Sequence, residues 1–266
     1  MTTIASRLQA VKARIFEAAS AAGRPPREIT LVAVSKTFPP QAIAEAFAAG
    51  QTAFGENYAQ EGIEKIAAVS HLVRERHVAY ANQKDQRTQG DVGLCAGITS
   101  TEGPLHRPLE WHHIGPIQSN KTKAIAVNFD WVHGIDRARI AERLSLSRPN
   151  DKPPLQVCIQ VNISGEVSKS GVAPDAVFDL AQTIMRLPRL RLRGLMAIPE
   201  PTTDTALQRS RFRMLREIRD HLLHRGVALD TLSMGMSDDL EAAITEGATL
   251  VRVGRAIFGE RDAGAG

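Results

Sequence analysis

Lys36 closes the apolar run Leu31-Val32-Ala33-Val34-Ser35, which sets an amine at the end of a strand-like segment. Desolvation there weakens a lysine's hold on its proton, and the neutral amine is a nucleophile able to form a Schiff base with an aldehyde. A strand lysine can equally pack its stem and keep its head in water. Arg252 raises a second question, because it interrupts the apolar stretch Leu250-Val251-Arg252-Val253. A guanidinium keeps its proton, so burying it demands acceptors. A salt bridge to a neighbouring strand would supply them, and so would the nitrogen of a pyridine ring. In the second case a permanent cation beside that nitrogen disfavours ring protonation, which makes the ring a weaker electron sink than one paired with a carboxylate.

Two further segments carry the marks of an anion site. Ser-Met-Gly-Met-Ser (233–237) leads into a predicted helix Asp238–Glu246, so Ser237 is expected to cap it and leave first-turn N–H groups available. Val-Gly-Arg-Ala-Ile-Phe-Gly (253–259) puts Gly254 where a backbone must approach something closely. The competing reading is a capped helix whose dipole Asp238 and Asp239 already serve, acids that would repel a phosphate if aimed at it. The pair His112-His113 resembles a metal motif only in composition. Neighbouring strand residues point to opposite faces, so one ring is expected inside and the other towards solvent or a helix. Cys158 reads as core, and Lys169 as a loop lysine able at most to receive a ligand from Lys36.

These residues need a scaffold, and the chain alternates strand and helix patterns with great regularity. Strand-like stretches fall at Thr30–Ser35, Thr52–Gly55, Glu110–Gly115, Asp130–Ile135, Leu155–Ile163, Leu192–Ile198, Thr231–Gly235 and Thr249–Gly254. Helical patterns follow most of them, at Pro39–Ala49, Tyr58–Val69, Asn120–Val127, Arg137–Leu146, Pro174–Leu187, Leu207–Arg225 and Asp238–Glu246, after an N-terminal helix carrying Ile4, Leu8, Val11, Ile15 and Ala18. Alternation of this kind implies right-handed parallel crossovers. Eight such units close into a (β/α)₈ TIM-like barrel, an α/β fold, here with an extra N-terminal helix. A doubly wound open sheet is the alternative, but Lys36-Thr37-Phe38-Pro39 is not the Gly-rich turn that such a sheet carries after its first strand. In a barrel, chemistry sits at the C-terminal strand ends, which here carry Lys36, Asn57, Gly115, Asp136, Asn162, Ile198-Pro199, Gly235-Met236-Ser237 and Gly254-Arg255. From about 70 to 108 the rhythm lapses, and the segment reads as a surface insertion, helical at its start (Ser70–Tyr80) and irregular afterwards.

Composition narrows the classes further. Of the 266 residues, 43% are hydrophobic and 23% charged, which suits a sizeable core and argues against wholesale disorder. A formal charge of +4 without dense basic blocks and interleaved aromatics suits phosphorylated ligands better than nucleic acid. Cys95 and Cys158 are too few for a disulfide framework and lack metal-ligand spacing. No apolar run reaches the roughly 20 residues that span a bilayer. The expectation is a cytoplasmic protein that engages neither nucleic acid nor membrane.

Eight motifs, in order, resemble the pyridoxal phosphate homeostasis protein family. They are Val-Ala-Val-Ser-Lys (32–36), Phe-Gly-Glu-Asn-Tyr (54–58), Trp-His-His-Ile-Gly-Pro-Ile-Gln-Ser-Asn-Lys (111–121), Gln-Val-Asn-Ile-Ser (160–164), Lys-Ser-Gly (169–171), Arg-Gly-Leu-Met-Ala-Ile-Pro (193–199), Leu-Ser-Met-Gly-Met-Ser-Asp-Asp (232–239) and Val-Arg-Val-Gly-Arg-Ala-Ile-Phe-Gly (251–259). The resemblance covers nearly everything outside 70–108, a segment that family members generally have much shorter. It implies one barrel domain over 1–266, related to the N-terminal domain of alanine racemase and of bacterial-type ornithine decarboxylases. It implies pyridoxal 5′-phosphate as cofactor, held as an internal aldimine on Lys36, with Arg252 facing the pyridine nitrogen and Asn57 near the ring. Ser237 and the backbone of Gly254 and Arg255 are then expected on the phosphate. The implied role is non-catalytic: storage, delivery to cofactor-accepting apoenzymes and vitamin B6 balance, by a monomer. Racemisation needs proton donors on both faces of the substrate, which related enzymes draw partly from a second domain. Only residues 255–266 follow the last strand here, and Tyr58 and Tyr80 are the only tyrosines. The alternative is an enzyme, either a racemase-like one using the same cofactor or a cofactor-free Schiff-base lyase.

Overall fold

The computed structural model describes residues 2–88, 108–164 and 170–260. Eight parallel strands form its centre: β1 (Thr30–Val34), β2 (Ala53–Glu56), β3 (Glu110–His113), β4 (Trp131–Ile135), β5 (Leu155–Gln160), β6 (Leu190–Met196), β7 (Thr231–Ser233) and β8 (Leu250–Val253). Each pairs with the next in chain order, and β8 returns to β1 with Val32 opposite Arg252, so the sheet closes into a barrel. Helices α1 (Ile4–Ala21), α2 (Pro40–Ala48), α3 (Ala59–Thr88), α4 (Thr122–Asn128), α5 (Ala138–Ser147), α6 (Val177–Met185), α7 (Thr205–His224), α8 (Leu240–Thr245) and α9 (Arg255–Phe258) accompany the strands. This is the expected (β/α)₈ barrel with its additional N-terminal helix. No helix among the described residues is long and apolar enough to cross a membrane.

The two-residue period of a strand divides the core in two. A small inner cluster of Val32, Ala53, Trp131, Cys158, Met196 and Leu250 fills the barrel. A much larger cluster, including Phe54, Trp111, Phe129 and Ile159, lies between sheet and helices. Thr3 caps α1 by accepting from Ser6 N, and Ile4, Leu8, Val11 and Ile15 form its buried stripe. Its polar side is not idle. Arg7 Nε donates to Ile257 O at 2.7 Å and Arg14 Nη2 to Ser237 O at 3.0 Å, so α1 ties down the segments that follow β7 and β8.

The segment after Val69 is helical at its start, as expected, but begins packed against the core and not as a surface excursion. Helix α3 continues without a break through residue 70, where an insertion was expected to begin. Val69 is fully buried and Val73 packs against the core. Ile63, Ile66, Val69 and Val73 thus extend one apolar stripe that the surrounding charges obscure in sequence. The stretch 89–107, with Cys95, lies outside the described residues, as does Lys169.

His112 and His113 separate as the strand period requires. His112 points into the barrel and stacks on Trp131, while His113 points out to the helical layer and meets Phe129 edge-on at 5.3 Å. His113 is 1% exposed, its Nδ1 has no hydrogen-bond partner among the described residues, and burial pulls its pKa down to about 4. Below about 6.5 the unfolded ring takes up a proton that the folded ring refuses, so stability falls as pH drops through this window. The loss amounts to roughly 3 kcal/mol between pH 6.5 and 4. His113→Phe keeps the ring contact and is expected to remove most of that acid sensitivity. Urea midpoints at pH 7 and pH 4.5 measure it; equal losses in the two proteins would refute the assignment.

Candidate functional site

The C-terminal strand ends surround a cavity of about 390 Å³. Lys36, Asn57, Ser237, Arg252, Gly254 and Arg255 all line it, together with Phe38, Ile114, Ile198 and Met236. The six residues singled out in the sequence therefore converge, although they come from β1, β2, β7, β8 and the loops that follow them.

Lys36 is half-buried, and its backbone is gripped from both sides. Lys65 Nζ, from α3, donates to Ser35 O at 2.7 Å and to Glu61 Oε1 at 2.6 Å. The same Glu61 oxygen accepts from Thr37 N. Glu56, fully buried at the end of β2, completes the cluster: Ser35 Oγ donates to it at 2.7 Å and Lys65 Nζ at 3.1 Å. Burial pushes the Glu56 carboxyl up, and Lys65 and Ser35 oppose that rise. Thr37 adopts φ +69°, a conformation rare for a β-branched residue. Holding it there costs on the order of 1–3 kcal/mol, and the Glu61 bond supplies a restraint. Sequence reading passed over this cluster. Its signals were a glutamate ending an apolar strand and the Glu61/Lys65 pair one helical turn apart.

The neighbouring walls are held as tightly. A Cβ on Gly115 would overlap the backbone of Asn57, so a glycine there lets the end of β3 press against that residue. Arg252 is 4% exposed, yet no carboxylate among the described residues bonds it directly. Its Nη1 donates to Ser233 O at 2.7 Å and Ser233 Oγ at 2.6 Å, and its Nη2 to Ala197 O at 2.9 Å. Burial draws its pKa down to about 10, with Asp239 opposing, so it remains a cation at neutral pH.

Ser237 lines the cavity but does not cap α8, contrary to the expectation from its position. The helix begins at Leu240, and its preceding residue is Asp239, whose carboxylate accepts from Met236 N at 2.6 Å and closes the loop on itself. Gly235 takes φ +94° in that loop, which turns the chain before the helix can start and leaves Ser237 short of it. Asp239 is thus engaged in the loop, and Asp238 is 86% exposed with Arg255 Nη2 3.7 Å away. After β8, a Cβ on Gly254 would sit 3.1 Å from Val34 O, so glycine allows this close approach of β8 to β1. The first N–H groups of the short α9 have no carbonyl one turn back within the helix. Phe258 of α9 stacks on Phe38 at 5.1 Å and joins this loop to the one bearing Lys36.

A closed parallel barrel with a lysine ending β1, an arginine inside β8 and polar turns after β7 and β8 is an alanine-racemase-type barrel: residues 6–262 match the family model described as alanine racemase, N-terminal domain. The pyridoxal phosphate homeostasis protein of Pseudomonas aeruginosa is 52% identical over 100% of this chain and 99% of its own length, and that of Vibrio cholerae 48% identical over 98% of each. The chain belongs to the pyridoxal phosphate homeostasis protein family. PipY of Synechococcus elongatus, in a structure with pyridoxal phosphate bound, is 30% identical and superposes with a TM-score of 0.74 over 97% of this chain and 100% of that one.

Proposed function

We propose that the chain binds pyridoxal 5′-phosphate at this cavity and holds it in reserve as part of vitamin B6 homeostasis, without turning over amino acids. The observation that carries the reading is the meeting of an amine, a buried guanidinium and two polar turns around one cavity of about 390 Å³. These residues fit the group. Lys36 Nζ is the amine for the aldehyde carbon, Arg252 faces the ring nitrogen, and Asn57 lies beside the ring. Ser237 and the backbone N–H groups of Gly254 and Arg255 take the phosphate. Bound to an amine, the cofactor supplies a visible absorption band and a sink for electrons. Arg252 restrains the second property, because a permanent cation beside the ring nitrogen disfavours its protonation.

The names of the relatives, which describe homeostasis and not a reaction, support a reserve over an enzyme. Tyr58 adds to that support: it follows Asn57 but is 60% exposed, turned to solvent at the rim and not inward as a second proton carrier would be. The reading continues to a cytoplasmic monomer that passes its cofactor to accepting apoenzymes.

Mixing purified protein with pyridoxal phosphate is expected to give a visible absorption band that persists through gel filtration. Incubation with each L- and D-amino acid in heavy water is expected to give at most slow deuterium uptake at the α-carbon. Uptake in the usual enzyme range of roughly 1–1000 per second would replace the reserve with a racemase-like enzyme.

A further inference from the structure

One line of hydrogen bonds crosses the barrel from this cavity to the opposite mouth. Arg252 Nη1 donates to Ser233 Oγ at 2.6 Å, and Ser233 Oγ lies 2.7 Å from His133 Nδ1. His133 Nε2 lies 2.9 Å from His112 Nδ1, and His112 Nε2 lies 3.2 Å from Glu110 Oε2. Ser233, His133 and His112 are completely buried. Glu110 begins β3 and opens on a second cavity, about 620 Å³, at the N-terminal ends of the strands. Neither histidine nor Glu110 has a part in the cofactor contacts described above.

The two ends dictate the direction of every link. A guanidinium only donates and a carboxylate only accepts. Burial pushes the Glu110 carboxyl up, but hydrogen bonds from His112 and Trp131 and the charge of Arg193 oppose that rise, and the group lies below the usual carboxylate range. It is therefore an anion at neutral pH. With one proton on each ring, His112 must show Nε2–H to Glu110 and a bare Nδ1 to His133. His133 then donates through Nε2–H and accepts the Ser233 hydroxyl proton at Nδ1. Ser233 Oγ is left with its lone pairs towards Arg252. In a buried chain of one polarity each bond strengthens the next, so the anion at the far end improves Ser233 as an acceptor.

We propose that Glu110, acting through His112, His133 and Ser233, is a positioning residue for Arg252: the carboxylate at one mouth of the barrel sets the hydrogen-bond direction that orients the guanidinium at the other. The role rests on the reading that Arg252 faces the ring of bound pyridoxal phosphate.

Glu110→Gln tests it with almost no change of shape. Trp131 Nε1 donates to Glu110 Oε1 at 2.7 Å, and an indole N–H has no other option. The amide oxygen must stay on Trp131, so the amide nitrogen faces His112, which has to accept at Nε2 and carry its proton on Nδ1. His133 follows, and Ser233 Oγ then meets two donors. Nitrogen NMR of the histidine rings is expected to show Nε2–H on both in the wild type and Nδ1–H on both in the variant. The absorption band of the pyridoxal-phosphate-loaded variant is expected to shift with them. Any other proton placement in the wild type, or unswitched rings in the variant, refutes the chain. Switched rings with an unmoved band refute the hold on Arg252. A wild type with the expected rings that takes up no pyridoxal phosphate refutes the cofactor reading, and with it the role of Arg252, while the chain itself stands. If Glu110→Gln fails to fold, Ser233→Ala cuts the chain instead: the His133 Nδ1 resonance and the band must both move, and stationary signals refute the proposal.

Discussion

Lys36→Ala is expected to abolish covalent retention of pyridoxal phosphate while leaving a folded barrel. The substitution removes the one amine that the described residues lining the cavity present for an aldehyde in the proposed site, at a half-buried position after the end of β1. Lys36 is only half-buried, and the backbone around it is held by Lys65 and Glu61. The stability change is expected to stay within about 1 kcal/mol. Loaded variant passed over a gel-filtration column should emerge without the visible band, although Ser237, Gly254 and Arg255 still offer a weak non-covalent site. In the wild type, borohydride reduction followed by peptide mapping should place the label on Lys36. A label on Lys121 or Lys169 would show that the amine has been misassigned.

Arg252→Glu is expected to damage both fold and site. It sets a carboxylate at a position 4% exposed, against Ser233 O and Ala197 O, two carbonyls that can only accept. An unpaired buried charge of this kind costs about 3–5 kcal/mol, which for a domain of this size lowers the melting temperature by roughly 10 °C. Protein that still folds should carry a changed cofactor spectrum, because an acid would stand where a cation opposed ring protonation. If neither the melting curve nor the spectrum differs from wild type, Arg252 does not sit where it is placed here.

Much of this was legible in the chain. Strands such as Trp131–Ile135 and Leu155–Gln160 are buried along nearly their whole length, so they read as apolar runs bounded by turn residues, and only helices on every side can bury such strands. The period of α1 was plain for a different reason: one stripe meets the core and the rest of the surface is polar. Lys36 and Arg252 stood out because a charge within or at the end of an apolar run needs an explanation, and that need does not depend on knowing the fold. Less was legible where polar residues carry the structure. The stripe of α3 beyond Val69 is thin and hidden among charges. Ser237 was misplaced as a cap because a side chain that closes its own loop, as Asp239 does, is indistinguishable in sequence from one that starts a helix.

By itself, then, the order of residues determined the alternation of strand and helix, the closed parallel architecture and the six residues that share a cavity. The first two follow from local periodicity and from the rule that βαβ crossovers turn one way; the six residues were picked out as a set by the resemblance of their motifs to a known family. Only the tertiary structure decided which groups meet across the barrel. Glu56, Glu61 and Lys65 bracket Lys36, and Glu110, His112, His133 and Ser233 lead to Arg252, because closing the sheet brings distant strands within hydrogen-bond range. Hydrogen bonds act over about 3 Å, and which pairs come that close is set by strand register and side-chain direction, neither of which one strand's sequence contains.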